Sequence, residues 1–426
     1  MCAEVIYRCI RKALRSKQVI RILYIVDEAY PTTSANGRIV YRIIDELLTH
    51  PDIQISILCR ARTQEQLAIK EYKGYPIIHE HTILASKSEQ LNQQLGKYKF
   101  LRYIINPRTI YYRLDGESNY YNAEAKIWIQ RNIDDFDVIV ANSMPFEPLE
   151  IASLFGKKKP VVYYKMEPVA HYIYPDDYEK GKQKEEEWDN QASAIVMTDL
   201  IYKYYQQYAK PENIRKVVVA QFPCVIDRGE QESAQIGDKG CNLVYVGKFY
   251  KDNRDPQYLF SLMEALADKG IHLIIAGSTY HSRLPKEVIE KYFTNKLPYI
   301  TYLGELPAEK ADALLRDADI LVHQGNKVPD MMPSKILDYI SSGKPILNIY
   351  SIDDCPTLPY LEKYDMCLNV KEGEELTDEL LDKIYRFCQE NKGKRIPFAD
   401  IKAKYMDCTP EYVGQQFYNT IKKIIK

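Results

Sequence analysis

A chain of 426 residues with 58 Lys and Arg against 59 Asp and Glu carries a net charge of -1. That balance excludes the basic excess by which nucleic-acid binders hold phosphate backbones. A hydrophobic content of 46% and a charged content of 27% describe a soluble globular protein too long for one ordinary core, so two domains are expected. Nine scattered cysteines without a Cys-x-x-Cys pair fit a reducing cytosol, not a disulfide framework or a zinc site. The apolar runs fall short of the roughly 20 residues of a membrane span, and the N-terminus lacks the apolar core of a signal peptide. The 36 tyrosines supply amphipathic rings of the kind that line carbohydrate and interfacial surfaces.

Residues 1–18 place Ile6, Cys9, Ile10, Ala13 and Leu14 on one side of a helix, with Arg8, Arg11, Lys12, Arg15 and Lys17 around them. Such a helix is either a membrane-surface element or a plain capping helix. Ile20 to Val26 reads as the first buried strand, followed by the loop DEAYPTTSANGR, a helix bearing Ile39, Val40, Ile43, Ile44, Leu47 and Leu48, and a second strand, Ile53 to Cys59. This is a parallel βαβ start. It is not a nicotinamide fingerprint, because the loop has the single glycine Gly37 where three are needed and no acid ends the second strand. Residues 97–113 interleave Lys97, Lys99, Arg102, Arg108 and Arg113 with aromatics, which suits an anionic lipid surface as well as a solvated helix face. Strands at 136–142, 159–167, 193–199 and 216–223 complete a sheet of about six strands. Glu167 and His171 fall at a strand's carboxyl end, and the charged run EKGKQKEEEWDNQ between two strands reads as a solvated helix. The first domain is expected to span residues 1–225.

Residues 226–241 read as a polar linker, and residues 242–405 as a second α/β domain, with strands at 242–246, 272–277, 300–304 and 319–324. Residues 406–426 are expected to hold a closing amphipathic helix. Lys248 directly follows Gly247, and Arg254 stands six positions on. The stretch DMMPSKILDYISSGKPILNIY, Asp330 to Tyr350, reads as a helix with Pro333 at its first position, an apolar stripe of Ile336, Leu337 and Ile340, and a stop at Gly343 and Pro345. Ser334 and Asp338 share one face. Loops that follow parallel strands converge on the carboxyl edge of the sheet, so these cations and this helix start are expected to face one point. The strings Asp135-Phe-Asp137 and Asp317-Ala-Asp319 run straight into apolar strands and read as strand-entry residues, not as a metal site.

These segments resemble the retaining GT-B glycosyltransferases of the large family four, over nearly the whole chain. NLVYVGKFYKDNRDP is similar to that family's strand–Gly–Arg segment with a second basic residue downstream. YITYLGELPAEKADALLRDADILVH resembles its strand–Gly–helix–strand block, and PSKILDYISSGKPIL its donor helix; the match through ILYIVDEAYPTTSANGRIVY is looser. The resemblance implies two Rossmann-like, doubly wound α/β domains facing across a cleft, the first for the acceptor and the second for a nucleotide sugar. It implies that Lys248 and Arg254 bind the diphosphate beside Gly247, with backbone N–H groups around Pro333, Ser334 and Lys335. Asp338 would take the ribose hydroxyls, Asp330 the donor sugar, and Gly37 would let backbone approach the donor phosphate. Asp330 and Asp338 keep the family's spacing but stand where glutamates are usual, and Lys248 stands where arginine is more usual. Many members carry a histidine where this chain has Met166 and Glu167, with His171 four residues later. Glu167 and His171 are therefore site candidates without fixed roles.

The implied activity is transfer of a glycosyl group, with retention and without metal or cofactor, from a UDP- or GDP-linked donor to a saccharide or lipid-linked saccharide. Cell-surface polysaccharide or glycolipid synthesis, at a cytoplasmic site peripheral to the inner face of the cell membrane, is the expected setting. An anionic membrane surface is then a partner and nucleic acid is not. A GT-B nucleotide-sugar epimerase and a catalytically inactive nucleotide-sugar-binding module are the alternatives.

Overall fold

The first strand, Ile20–Glu28 (β1), is apolar on both faces and buried nearly throughout, as a parallel strand covered by helices on either side must be. It belongs to a computed structural model that describes residues 19–32, 34–61, 64–82, 120–174, 176–227, 229, 240–280 and 282–426. The basic N-terminal residues 1–18 and the Lys97–Arg113 patch lie outside the described residues. The chain divides into two units, one running to Pro223 and taking in Pro410–Lys426, the other spanning Cys224–Thr409. Among the described residues no helix is long and apolar enough to cross a membrane.

In the first unit β1 is joined by Ile53–Ala61 (β2), Glu71–Tyr72 (β3), Tyr75–Thr82 (β4), Val138–Asn142 (β5), Val161–Lys165 (β6), Ala194–Met197 (β7) and Val217–Val219 (β8). The sheet has eight strands in the order β3-β4-β2-β1-β5-β6-β7-β8, more than the six expected. All neighbours pair in parallel except β3 and β4. That hairpin turns on Lys73 and Gly74, both at positive φ (50° and 82°), a two-residue turn too short to show as a periodic run. The helix Ala35–Leu48 (α1) buries Ile39, Val40, Ile43, Ile44 and Leu47 against the sheet, and the Ser34 side chain caps it by accepting from Gly37 N at 2.9 Å. At the carboxyl end of β2 stands Arg60, 2.5 Å from the buried Asp27, a base where a dinucleotide-binding sheet needs an acid.

Beyond β6 come the helices Val169–Ile173 (α2), Tyr178–Asp189 (α3) and Asp199–Tyr205 (α4). The run that α3 forms is not the solvated surface expected of it. Its inner face buries Gly181, Glu185, Trp188 and Asp189, because two of its acids answer a lysine buried in the sheet.

The second unit is a six-stranded parallel sheet of Cys241–Val246 (β9), Ile271–Ala276 (β10), Ile300–Tyr302 (β11), Ile320–Gln324 (β12), Ile346–Tyr350 (β13) and Cys367–Lys371 (β14). Its order is β11-β10-β9-β12-β13-β14, so the winding reverses between β9 and β12. The corresponding reversal in the first sheet lies between β1 and β5. Both carboxyl edges at these points are where doubly wound sheets take ligands. The donor-helix stretch forms Lys335–Ser341 (α5). Asp137 and Asp319, the second acids of the two Asp-x-Asp strings, sit at the opposite, amino edges and accept from the N–H groups of Arg21 and Asn242, each at 2.8 Å.

The chain then returns to the first unit as Pro410–Ile424 (α6) and packs beside α1. Phe417 is fully buried edge-to-face on Tyr164, 5.2 Å between centroids, and Tyr418 stacks on His50 at 3.7 Å. Asp52 accepts from Lys422 at 2.8 Å, and that contact first of all holds its carboxyl below the usual range.

Candidate functional site

The carboxyl edge of the second sheet is bare of side chains where it matters. Four neighbouring strands, β11, β10, β9 and β12, run out into Gly304, Gly277, Gly247 and Gly325. Gly277 can be nothing else: a Cβ there would lie 1.7 Å from the carbonyl oxygen of Gly247. A rim of this kind lets a ligand reach the backbone itself.

Two cations stand beside that rim. Arg254 is half-buried, and its Nε donates to Asn326 Oδ1 at 2.6 Å. The buried hydroxyl of Tyr245 donates to Lys248 O at 3.3 Å; burial pushes it up to about 12, against the pull of Arg254. Backbone bonds between Tyr250 and Arg254, at 3.1 and 2.7 Å, close the loop that carries it. The Lys248 ammonium lies 5.3 Å from the ring centre of Tyr250 and 6.0 Å from that of Tyr280. Both contacts are with aromatic faces, so the charge is oriented but not neutralised. Among the described residues neither cation forms an ion pair. Each would gain on the order of 4 kcal/mol from a unit negative charge at about 4 Å and an effective dielectric near 20.

Behind Arg254 the sheet is polar. His323 on β12 donates from Nδ1 to Asn348 Oδ1 on β13 at 2.8 Å, and Asn348 donates to Asn369 on β14 at 2.7 Å. The Nε2 of His323 is buried without a hydrogen-bond partner. Burial pushes the imidazole down to about 4; Arg254's charge adds to this and the Asn348 bond opposes it. A neutral ring in this place leaves the positive charge on Arg254 alone.

Pro333 precedes α5 rather than occupying its first position, and Ser334 is the N-cap without a side-chain capping bond. The N–H groups of Ile336 and Leu337 turn back to the carbonyls of Pro333 and Ser334, each at 3.1 Å. The N–H groups of Ile336 and Leu337 are thus spent within the helix start, and Pro333 has no N–H to offer. The Lys335 ammonium donates to Val246 O at 3.1 Å and the Tyr339 hydroxyl to the same oxygen at 3.3 Å, pinning α5 to the end of β9. Asp330 is buried in the turn before the helix, and Asp338 is half-buried in the first turn.

In the first unit Gly37 lies at the β1–β5 reversal. A Cβ there would meet Thr32 Oγ1 at 2.1 Å and Glu28 Oε2 at 2.8 Å, so the loop is folded down onto the glycine. A small cavity is lined by Glu28, Gly37, Tyr41, Asn142 and Met144. Asn142 is buried with its Oδ1 unpartnered, and Met144 holds φ at 67°, a conformation rare for a side chain of that size. Glu167 is half-buried in the loop after β6. His171 is exposed on α2 with its ring 4.5 Å from that of Tyr178.

The loop holding both is fastened from beneath. Lys165, the last residue of β6, is buried with its ammonium 2.6 Å from Glu185 Oε1 and 2.7 Å from Asp189 Oδ2. Tyr208 and Tyr205 donate to these two acids at 2.7 and 2.6 Å, and Ala170 N of α2 donates to Glu185 at 3.1 Å. Burial pushes the Asp189 carboxyl up to about 6, against the pull of Lys165.

Sequence reasoning missed Asn326, Asn142, Met144 and Lys165. The signal for the first three was a short run at a strand's carboxyl end, Gln-Gly-Asn from the last residue of β12 and Asn-Ser-Met from the last residue of β5, at the strands next to each reversal.

No family model matches the chain, and no curated protein matches it by sequence. Solved structures do match its fold. The Anabaena protein HepE, solved with UDP and glucose, is 13% identical with a TM-score of 0.62, over 95% of this chain and 100% of that one. The catalytic domain of Arabidopsis thaliana starch synthase IV, bound to ADP and acarbose, is 8% identical at 0.60, over 96% and 99%. A Listeria monocytogenes protein described as a candidate UDP-N-acetylglucosamine 2-epimerase is 12% identical at 0.58, over 95% and 96%. With two parallel-sheet α/β units and these neighbours, the chain has the GT-B fold.

Proposed function

We propose that the protein is a glycosyltransferase that moves a sugar from a nucleoside diphosphate donor to an acceptor hydroxyl, with retention at the anomeric carbon and without a metal ion. The observation that carries this reading is the pair Lys248 and Arg254, two cations without a carboxylate partner among the described residues, beside a glycine-only strand rim where a doubly wound sheet takes its ligand. Transfer breaks the bond between the anomeric carbon and the diphosphate oxygen and forms one to the acceptor oxygen. The leaving diphosphate gathers negative charge, and fixed cations stabilise it without reorganising. Lys248, Arg254 and the N–H groups at Ser334 and Lys335 fill that role, Asp338 binds the ribose, and Asp330 orients the donor sugar. HepE with UDP and glucose and the starch synthase with ADP support a nucleotide-linked donor. The acceptor is a saccharide or lipid-linked saccharide of the cell surface, met at the inner face of the membrane.

A melting-temperature panel of UDP, GDP and ADP and their sugars, run beside Asp338→Ala, tests the donor site. One diphosphate should raise the wild-type midpoint and leave the variant's unmoved. No shift with any of them would sink the assignment. The Listeria neighbour favours one second reading, a nucleotide-sugar epimerase. Incubation with a donor and no acceptor decides it: an isomerised donor sugar supports the epimerase, and an unchanged donor supports the transferase.

A further inference from the structure

Two loops build the proposed donor site, one following β9 and one following β12, and the buried amide of Asn326 helps to join them. Asn326 is 0% exposed. Its Oδ1 accepts from Arg254 Nε at 2.6 Å and from Asn253 Nδ2 at 3.3 Å, and its own Nδ2 donates to Met331 O at 2.8 Å. The neighbouring Lys327 N donates to Asn253 Oδ1 at 2.8 Å, so the grip between the loops is mutual. Met331 directly follows Asp330 in the turn that leads to α5.

The choice of an amide has a chemical consequence. A guanidinium has five N–H donors, and only Nε is spent on Asn326. A carboxylate in this place would hold Arg254 equally well but would cancel its charge. A neutral acceptor fixes the fork while leaving the charge unspent. We propose that Asn326 is a positioning residue for Arg254: it aims the guanidinium at the incoming diphosphate and couples that aim to the turn carrying Asp330. This rests on the donor-site reading given above.

The test compares binding of the preferred nucleoside diphosphate (UDP, GDP or ADP) with binding of its bare nucleoside by isothermal titration, on the full chain. Asn326→Ala should weaken the diphosphate by about 10- to 100-fold, the range for losing a hydrogen bond to a charged group, and leave the nucleoside unchanged. Asn326→Asp keeps the size and the acceptor but pairs the charge, and should abolish the preference for diphosphate over nucleoside. In an Arg254→Met background Asn326→Ala should add less than about twofold, because its partner is already gone. Equal weakening of diphosphate and nucleoside, or the same loss with and without Arg254, would overturn the inference. Should Asn326→Ala not fold, an unchanged diphosphate preference in Asn326→Asp overturns it alone. A wild type that binds none of the three diphosphates overturns the donor site and this inference together.

Discussion

Replacing Lys165 by methionine removes a charge with little change of volume, so the outcome reads electrostatics rather than a cavity. The lysine is 1% exposed and its two acids are 2% and 1% exposed, so the variant keeps two carboxyl groups in the interior with only hydroxyl and amide partners. Breaking a buried pair from one side costs about 3–5 kcal/mol. The two acids have one escape, which is to hold protons. Burial already pushes Asp189 up to about 6 with the lysine beside it, and without that pull it should rise further. Each carboxyl protonated in the fold but ionised in the unfolded chain costs up to about 1.4 kcal/mol per pH unit. Wild-type stability should therefore level off above pH 6 as far as this group is concerned, whereas Lys165→Met should keep losing stability from pH 6 to 8. The assay is urea unfolding followed by tryptophan fluorescence, because both tryptophans, Trp128 and Trp188, lie in the first unit. Adding Glu185→Gln and Asp189→Asn to the variant should recover most of the loss. Parallel pH profiles for wild type and Lys165→Met between 6 and 8, or a triple variant no better than the single, would refute the reasoning.

Three other outcomes follow from the same structure. Lys248→Met and Arg254→Met should each lower turnover about 100- to 1,000-fold, as loss of one preorganised donor does, with melting midpoints close to wild type. A variant that melts far below wild type would instead mark a folding role. His323 is neutral in the fold and ordinary when unfolded, so its contribution is present above pH 6.5 and lost as pH falls towards 4; a depression from 6.5 to about 4 amounts to about 3 kcal/mol. Amide hydrogen exchange of β12, read at pH 7 and pH 5, should show about 2 kcal/mol of that loss, and His323→Phe should flatten it. Phe417→Ala should cost the first unit about 3–5 kcal/mol by tryptophan-monitored unfolding; a loss below 1 kcal/mol would mean that α6 is not a strut.

The chain spells out its sheets plainly. Strands such as Ile20–Glu28 and Cys241–Val246 are apolar on both faces because helices cover both, and a continuous apolar run survives any uncertainty of register. Lys248, Arg254, Asp330 and the α5 segment were legible because loops after parallel strands gather at one edge. Lys165 was not, since its acids lie 20 and 24 residues along the chain and nothing local distinguishes a buried lysine from a solvated one. A clue did exist in α3: Gly181, Glu185 and Trp188 recur at helical spacing, a stripe in which one charge shares a face with the apolar ring. The helix starts at Lys335, two residues beyond Pro333, with Ser334 as its cap even though that residue has helical dihedrals. Asn326 and Asn142 have no sequence signature beyond being amides at strand ends.

The return of α6 also sets an order of manufacture. At about 5–20 residues per second, the 186 residues of Cys224–Thr409 take roughly 10–40 s to synthesise after Pro223 has been added. Throughout that interval Tyr164 lacks Phe417 and His50 lacks Tyr418, so the flank of α1 that α6 covers stays bare while the second unit, whose chain is continuous, completes itself. The unit that starts first on the ribosome is the one that finishes last, and any stall or cleavage within Cys224–Thr409 leaves it unbraced.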